Sequence, residues 1–351
     1  MINKLRNNHI YVLDDLRGIA ILAVIVYHYF FVYYRKMEIE NIFLENIKLF
    51  NDYLNLGAFG VSLFFLVSGF VIPMSLQGLN KKKVVSNFFI RRFFRLYPTY
   101  WFAIIFISII ILLFKDNNAY TVKQIFINFT MFQDIFRVDS IDGVFWTLMI
   151  ELKFYLLTAF LFYFSLLKNI NFIIISFLIL SIITLLELNT NNSIINAILN
   201  RNHLWSYLML MYLGTSFYFY TKKDISKYNL ISLILIVSTY FMLNHYFLSD
   251  TGFGNKFGYS LATVLAIISF TILLNYKKNI SKVTTFFGNI SYSLYLLHQV
   301  LGYFFISILL DSNIYMPFAQ IIDFIVITLI TVGVNKYIEI PSNKIGHKYV
   351  K

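Results

Sequence analysis

The sequence predicts an all-α integral membrane protein: a bundle of about ten transmembrane helices with both termini on the cytoplasmic side. Three observations predict it. Of 351 residues, 59% are hydrophobic and only 13% charged, and the mean hydropathy is +0.70. A soluble domain carries about 25% charged and about 45–50% apolar residues, so one aqueous core cannot hide this much apolar mass. The apolar residues also gather into runs of about 20, the length a helix needs to cross about 30 Å of hydrocarbon. Finally, the basic residues cluster in alternate connections between those runs.

Ten runs reach that length, at roughly 16–34, 57–79, 97–114, 146–164, 170–188, 203–220, 229–248, 257–275, 290–310 and 317–338. The first follows a basic N-terminal stretch and ends without a small-residue cleavage site, so it reads as a span and not as a removable signal. In the second, Gly60, Ser68 and Gly69 stand where neighbouring helices can approach closely. The run at 203–220 is the most polar, with His203, Ser206, Gly214 and four tyrosines. The stretch 121–137 is apolar but interrupted by Lys123, Gln124, Asn128 and Gln133, which predicts an interfacial or re-entrant helix. No linker, repeat or soluble appendage is expected, and residues 1–351 read as a single membrane domain.

Charge agrees with this topology. With the N-terminus inside, 20 of the 29 basic residues fall in cytoplasmic segments and eight outside, with Lys153 within a span. The net charge of +12 is therefore mostly topogenic and calls for no nucleic acid. With no cysteine, the chain has no disulfide, no thiolate metal site and no cysteine acyl-enzyme.

Ionisable groups at membrane depth cost at least about 2.5–3.5 kcal/mol and are functional candidates by default. In the first run, Asp14 and Arg17 lie at i, i+3, and Arg17 and His28 are 11 residues apart, about 20° beyond three turns. One helix face would then hold an Asp–Arg pair at the cytoplasmic mouth and a histidine near mid-membrane. Arg91, Arg92 and Arg95 crowd one turn of the second cytoplasmic segment, a pattern suited to a phosphate or to lipid headgroups. Glu151 and Tyr155 share a helix face, with Glu151 roughly 7 Å below the outer boundary. Ser291 and His298 share a face of the ninth run, where His298 is either a proton-holding group or a helix-to-helix hydrogen bond. Asp323 and Glu339 complete the set without an assigned role.

Six segments in order resemble the acyltransferase family 3 membrane proteins: LDDLRGIAILAVIVYH, FFLVSGFVI, RRFFRLYPTYW, WTLMIELKFYLL, NISYSLYLLHQ and IEIPSNK. The departures are Thr147, where the family has serine, and Asp15, where it often has a small residue. The resemblance implies a ten-helix transferase of the bacterial cytoplasmic membrane that acylates a lipid-linked or surface glycan. It implies acetyl-CoA or another acyl-CoA as co-substrate, with no permanently bound cofactor and no metal. Arg92 and Arg95 would hold the donor phosphates, assisted by Arg17. His28 and Glu151 would be catalytic, and Asp14, Tyr155, Ser291 and His298 supporting. An alternative is a proton-coupled exporter of a glycan or small anion, built on the same intramembrane polar groups.

Overall fold

The computed structural model describes residues 2–33, 53–114, 120–187, 202–244, 256–276 and 280–350. Some of the basic residues counted above, among them Arg35, Lys36, Lys48, Lys115 and Arg201, lie outside them. Every regular element among the described residues is helical. In chain order the α-helices are α1 (Ile2–Val26), α2 (Leu56–Met74), α3 (Lys81–Phe114), α4 (Val122–Asn128), α5 (Trp146–Tyr163), α6 (Ile170–Glu187) and α7 (Asn202–Thr221). They continue as α8 (Lys227–Asn244), α9 (Lys256–Leu274), α10 (Lys282–Leu297), α11 (Val300–Asp311), α12 (Met316–Val334) and α13 (Ile340–Lys348). Tyr27–Val32 prolongs α1, and Asn335–Glu339 joins α12 to α13, each as a π-helical turn.

Among the described residues six helical stretches are long and apolar enough to cross a membrane: Val12–Val32, Leu56–Met74, Lys81–Phe114, Gly143–Tyr163, Lys256–Leu274 and Met316–Lys348. The predicted run at 290–310 is not one straight helix. It breaks between α10 and α11 with a bend of 75°, and counting that pair as one span gives seven. Two further apolar helices, Ile170–Ile183 and Lys227–Leu243, are shorter, and α7 is long enough but diluted by tyrosines and hydroxyls. The stretch at 121–137 forms only the seven-residue α4, about 10 Å long, followed by turns. The arginine turn is helical, as its spacing implies. It belongs to the 34-residue α3, about 51 Å long, which outreaches the hydrocarbon and carries its basic end beyond it.

The chain forms two compact units. The first comprises Met1–Lys81 and Ile150–Gly288. Its centre is α2, which is apolar on every side and packs against α1, α7 and α9. Bare glycines let the backbones meet. A Cβ at Gly60 would stand 2.5 Å from the Ala20 carbonyl oxygen, one at Gly69 1.8 Å from that of Met211, and one at Gly214 2.3 Å from that of Leu66. Gly60 and Gly69 thus act as the sequence implied. Backbone cannot rotate aside, so Gly69→Val is expected to lower stability by about 1–3 kcal/mol or more, read as a fall in thermal midpoint in detergent. Gly333→Ala on α12 meets nothing within 4 Å and should leave the midpoint unchanged or raise it slightly; equal losses for both would sever the effect from this crossing.

The second unit comprises Lys82–Met149 and Asn289–Lys351. In it α11 packs on α12, and Phe94 of α3 stacks on Tyr349 at the end of α13, 5.7 Å between ring centres. Aromatic donors of α3 hold the turns after α4: Tyr97 donates to the Thr130 carbonyl, Tyr100 to that of Asn128 at 2.9 Å, and Trp101 to that of Phe129 at 2.9 Å. These donors reach the carbonyls where the short helix ends, adding to the backbone bond from Met131 N to the Asn128 carbonyl.

Candidate active site

In the first unit the polar groups fall on three helices. On α1, Arg17 Nη1 donates to Asp14 Oδ1 at 2.8 Å, the i, i+3 pair that the spacing predicts. Its neighbour Asp15 is fully buried, and its carboxylate accepts from Ile280 N at 2.8 Å, Thr284 Oγ1 at 2.7 Å and Thr285 Oγ1 at 2.6 Å. The approach is close because Gly288 lies against the Asp14 carbonyl and Gly18 against that of Thr284. Asp15 therefore fastens the arginine end of α1 to the start of α10, a role the sequence left unassigned. Both threonine hydroxyls can fall back on the Ser281 carbonyl, so in Asp15→Ala the Ile280 N–H is the main group orphaned. A destabilisation of about 1–3 kcal/mol is expected in thermal unfolding, and Asp15→Asn, which keeps an acceptor oxygen, should recover part of it.

His28 sits in the π-helical turn, where Tyr33 N donates to the His28 carbonyl, five residues back. Such turns inside α-helices are rare and recur at functional sites. The extra residue in the turn also shifts helical register after Val26, so simple spacing no longer fixes the angle between Arg17 and His28. The imidazole Nδ1 lies 3.0 Å from the Val24 carbonyl oxygen. A carbonyl only accepts, so Nδ1 carries a proton, and in a neutral ring the lone pair would then lie at Nε2. The Tyr27 ring stands edge-on at 5.4 Å.

His28 and Glu151 lie at different levels of the first unit. Tyr27, beside His28, packs on Gly57, in the first turn of α2. Glu151 Oε1 accepts from Ser68 Oγ at 3.2 Å and from the Tyr155 hydroxyl, and Ser68 lies about 18 Å along α2. Helices α1 and α2 run antiparallel, with Tyr27 against Gly57 and Ala20 against Gly60. Continued along the pair, that register sets Ser68 and Glu151 level with the Asp14–Arg17 end of α1, about 16 Å of axis from His28. The structure joins Glu151 to Ser68 and Tyr155 and does not join it to His28. Ser68, read from sequence as a packing residue, is part of this polar cluster.

In the second unit, Arg92 is buried and its guanidinium lies over the Phe88 ring, 5.3 Å from the centroid, while Arg91 and Arg95 remain partly exposed. One turn thus holds one sequestered and two accessible guanidiniums. His298 closes α10 at the 75° bend, fully buried, with Nδ1 2.9 Å from the Tyr295 carbonyl oxygen and 3.2 Å from that of Leu294. Both carbonyls belong to its own helix, so these bonds are not the helix-to-helix hydrogen bond that the sequence reading offered. Ser291 is buried seven residues earlier on α10.

Asp142 holds the other side of the break. Its Oδ1 accepts from Val144 N and its Oδ2 from Val300 N, both at 3.1 Å, so one carboxylate caps the turn leading into α5 and the start of α11. Burial and the Asp142 charge push the Tyr120 hydroxyl up to about 12. Thr147, the family's serine position, bonds the Tyr295 hydroxyl at 2.9 Å. Glu339 is buried and accepts from Ser293 and, at 2.9 Å, from Asn335. An aspartate just before a glycine and a helix start is a capping signal, so Asp142 was findable from sequence; its tie to Val300 was not. Among the described residues no group of three His, Asp or Glu could hold a metal ion.

The fold and these groups define an all-helical, multi-pass membrane protein with polar side chains collected inside apolar helices. The acyltransferase domain of the acyltransferase 3 family matches residues 10–335, and the chain belongs to that family. It is similar, at 25% identity over 298 residues and 82% of each chain, to a protein of Acidianus two-tailed virus named "Putative acetyltransferase ORF330". No solved structure matches the chain.

Proposed function

We propose that this protein transfers an acyl group, acetyl in the first instance, from acyl-CoA on the cytoplasmic side to a hydroxyl of an envelope or lipid-linked glycan. The observation that carries the reading is the His28 ring, set by the Val24 carbonyl with Nε2 as its basic atom, in a chain of an acyltransferase family. His28 Nε2 takes the proton of the acceptor hydroxyl as its oxygen attacks the thioester carbonyl. The carbon–sulfur bond then breaks, and the imidazolium returns the proton to the CoA thiolate. Arg92 and Arg95 hold the donor phosphates, and Arg17, steadied by Asp14, adds charge at the cytoplasmic mouth. Glu151, with Tyr155 and Ser68, orients the acceptor or receives a proton. The name of the viral relative supports acetyl as the group moved.

The same reading has ten spans, both termini inside, in the cytoplasmic membrane of a bacterium. The shorter α6 and α8, the polar α7 and the bent α10–α11 pair supply the spans beyond the six. Reporter fusions after Lys83, Lys223, Lys278 and Lys351 should read cytoplasmic, and an odd number of crossings would move the arginine turn to the wrong side. For the activity, purified protein in proteoliposomes is supplied with radiolabelled acetyl-CoA and a glycan acceptor. Label on the glycan is expected; pH-driven solute uptake with no label transferred would replace this reading by an exporter.

A further inference from the structure

We propose that the first unit carries a separate binding pocket for a phosphoryl-bearing anion, at the ends of α2, α5 and α7. The cavity there is about 540 Å³ and is lined by Lys81, Lys168, Lys222, Gln77, Tyr218 and Asp224 among others. That volume lies within the range of small-ligand sites, about 300–1,000 Å³. None of these residues belongs to the acyl-transfer machinery proposed above, and the inference does not depend on it.

Charge is the first argument. Three ammonium groups and one carboxylate surround the cavity, and none of the three lysines forms an ion pair. Like charges gathered on one concavity repel unless an anion joins them. Donor geometry is the second. Lys81 Nζ gives two of its three N–H groups to the Tyr163 carbonyl and the Ser165 hydroxyl, which leaves one for a ligand. Tyr218 accepts from Gln77 Nε2, which leaves its own O–H to donate, and Lys222 lies over the Tyr218 ring at 5.7 Å. The polar groups offered to a ligand are therefore almost all donors, as a phosphoryl group with its acceptor oxygens requires.

Rigidity is the third argument. Both α5 and α7 end in a left-handed residue, Ser165 at φ 62° and Lys223 at φ 62°. In each case the next N–H reaches back five residues, Leu166 to Leu161 and Asp224 to Phe219, which locks the turn that presents the lysines. Topology and helix dipoles place lysines at such ends in any case. Lys81 meets that description through its bond to the last carbonyl of α5. Lys168 and Lys222 make no hydrogen bond to a helix-end carbonyl, yet line the same cavity.

A phosphoryl group could come from a soluble phosphate ester or from a lipid headgroup, and the test separates them. The full chain, purified in a neutral detergent, is titrated with inorganic pyrophosphate and with dihexanoyl phosphatidylglycerol, with thermal stabilisation as the readout. Saturable, salt-sensitive stabilisation by at least one probe is expected. Pyrophosphate alone would point to a soluble ester, the lipid alone to a headgroup. The exposed pair Lys168→Gln and Lys222→Gln together should weaken the apparent Kd roughly tenfold or more, while Lys336→Gln, a lysine of the second unit set over the Tyr337 ring, leaves it unchanged. The proposal falls if neither probe stabilises the protein, if the lysine-pair variant binds as wild type does, or if Lys336→Gln causes the same loss.

Discussion

Replacing His28 by alanine is expected to cost on the order of 10²–10⁴ in turnover, the usual contribution of a positioned general base. The donor KM should change little, because in the proposed site Arg92 and Arg95 are the residues that would hold the phosphates. The expectation rests on one bond. With Nδ1 donating to the Val24 carbonyl, Nε2 is the ring atom that would take a proton, and the π-helical turn gives the ring a position that regular helix spacing would not. His28→Gln is the sharper variant. A glutamine can donate to the same carbonyl and preserve packing, but it cannot take a proton near neutral pH. Single-turnover transfer measured on the purified, folded Gln variant should match the alanine loss. Full activity there would make His28 a packing residue and move the base elsewhere, with Glu151 the next candidate because it accepts from Ser68 and Tyr155 within the helices.

Arg92→Ala and Arg95→Ala are each expected to weaken acyl-CoA binding by about 1.5–3 kcal/mol, roughly ten- to a hundredfold. The structure adds a distinction between them. Arg92 is buried against Phe88, so its alanine variant should also lose thermal stability through lost packing, whereas Arg95 is partly exposed and its variant should not. Lysine at position 95 should rescue binding only in part, since an ammonium cannot make the two-pronged contact of a guanidinium. Isothermal titration with a non-hydrolysable acyl-CoA analogue measures the affinity. If both alanine variants bind it as tightly as wild type, the arginine turn serves topology alone.

Local order was legible in the residues themselves. Apolar runs of about 20 place six helices where the structure has them, and spacing alone pairs Asp14 with Arg17 and Glu151 with Tyr155. Contacts at i, i+3 and i, i+4 follow from helix geometry and need nothing else. The break at His298 and Gln299 was not legible, because no proline or glycine marks it; it is held from outside, by Asp142 on the Val300 N–H. The meeting of Glu151 with Ser68 was not legible for a related reason: it depends on where α5 crosses α2, which no spacing along either helix fixes.

By itself the sequence determined the class of the protein, its helices, its charge asymmetry and the set of ionisable side chains that lipid would not tolerate without a purpose. Each of these is a property of a residue or of its neighbours along one helix. Only the tertiary structure decided which polar groups meet. Ser68 and Glu151 are 83 residues apart, Asp142 and Val300 158, and Asp15 and Ile280 265. Such pairs depend on how helices cross, and the crossings depend on glycines that bring backbones together at particular levels. In lipid, where burying one apolar face against another brings little gain, that close packing and the hydrogen bonds it permits choose the partners.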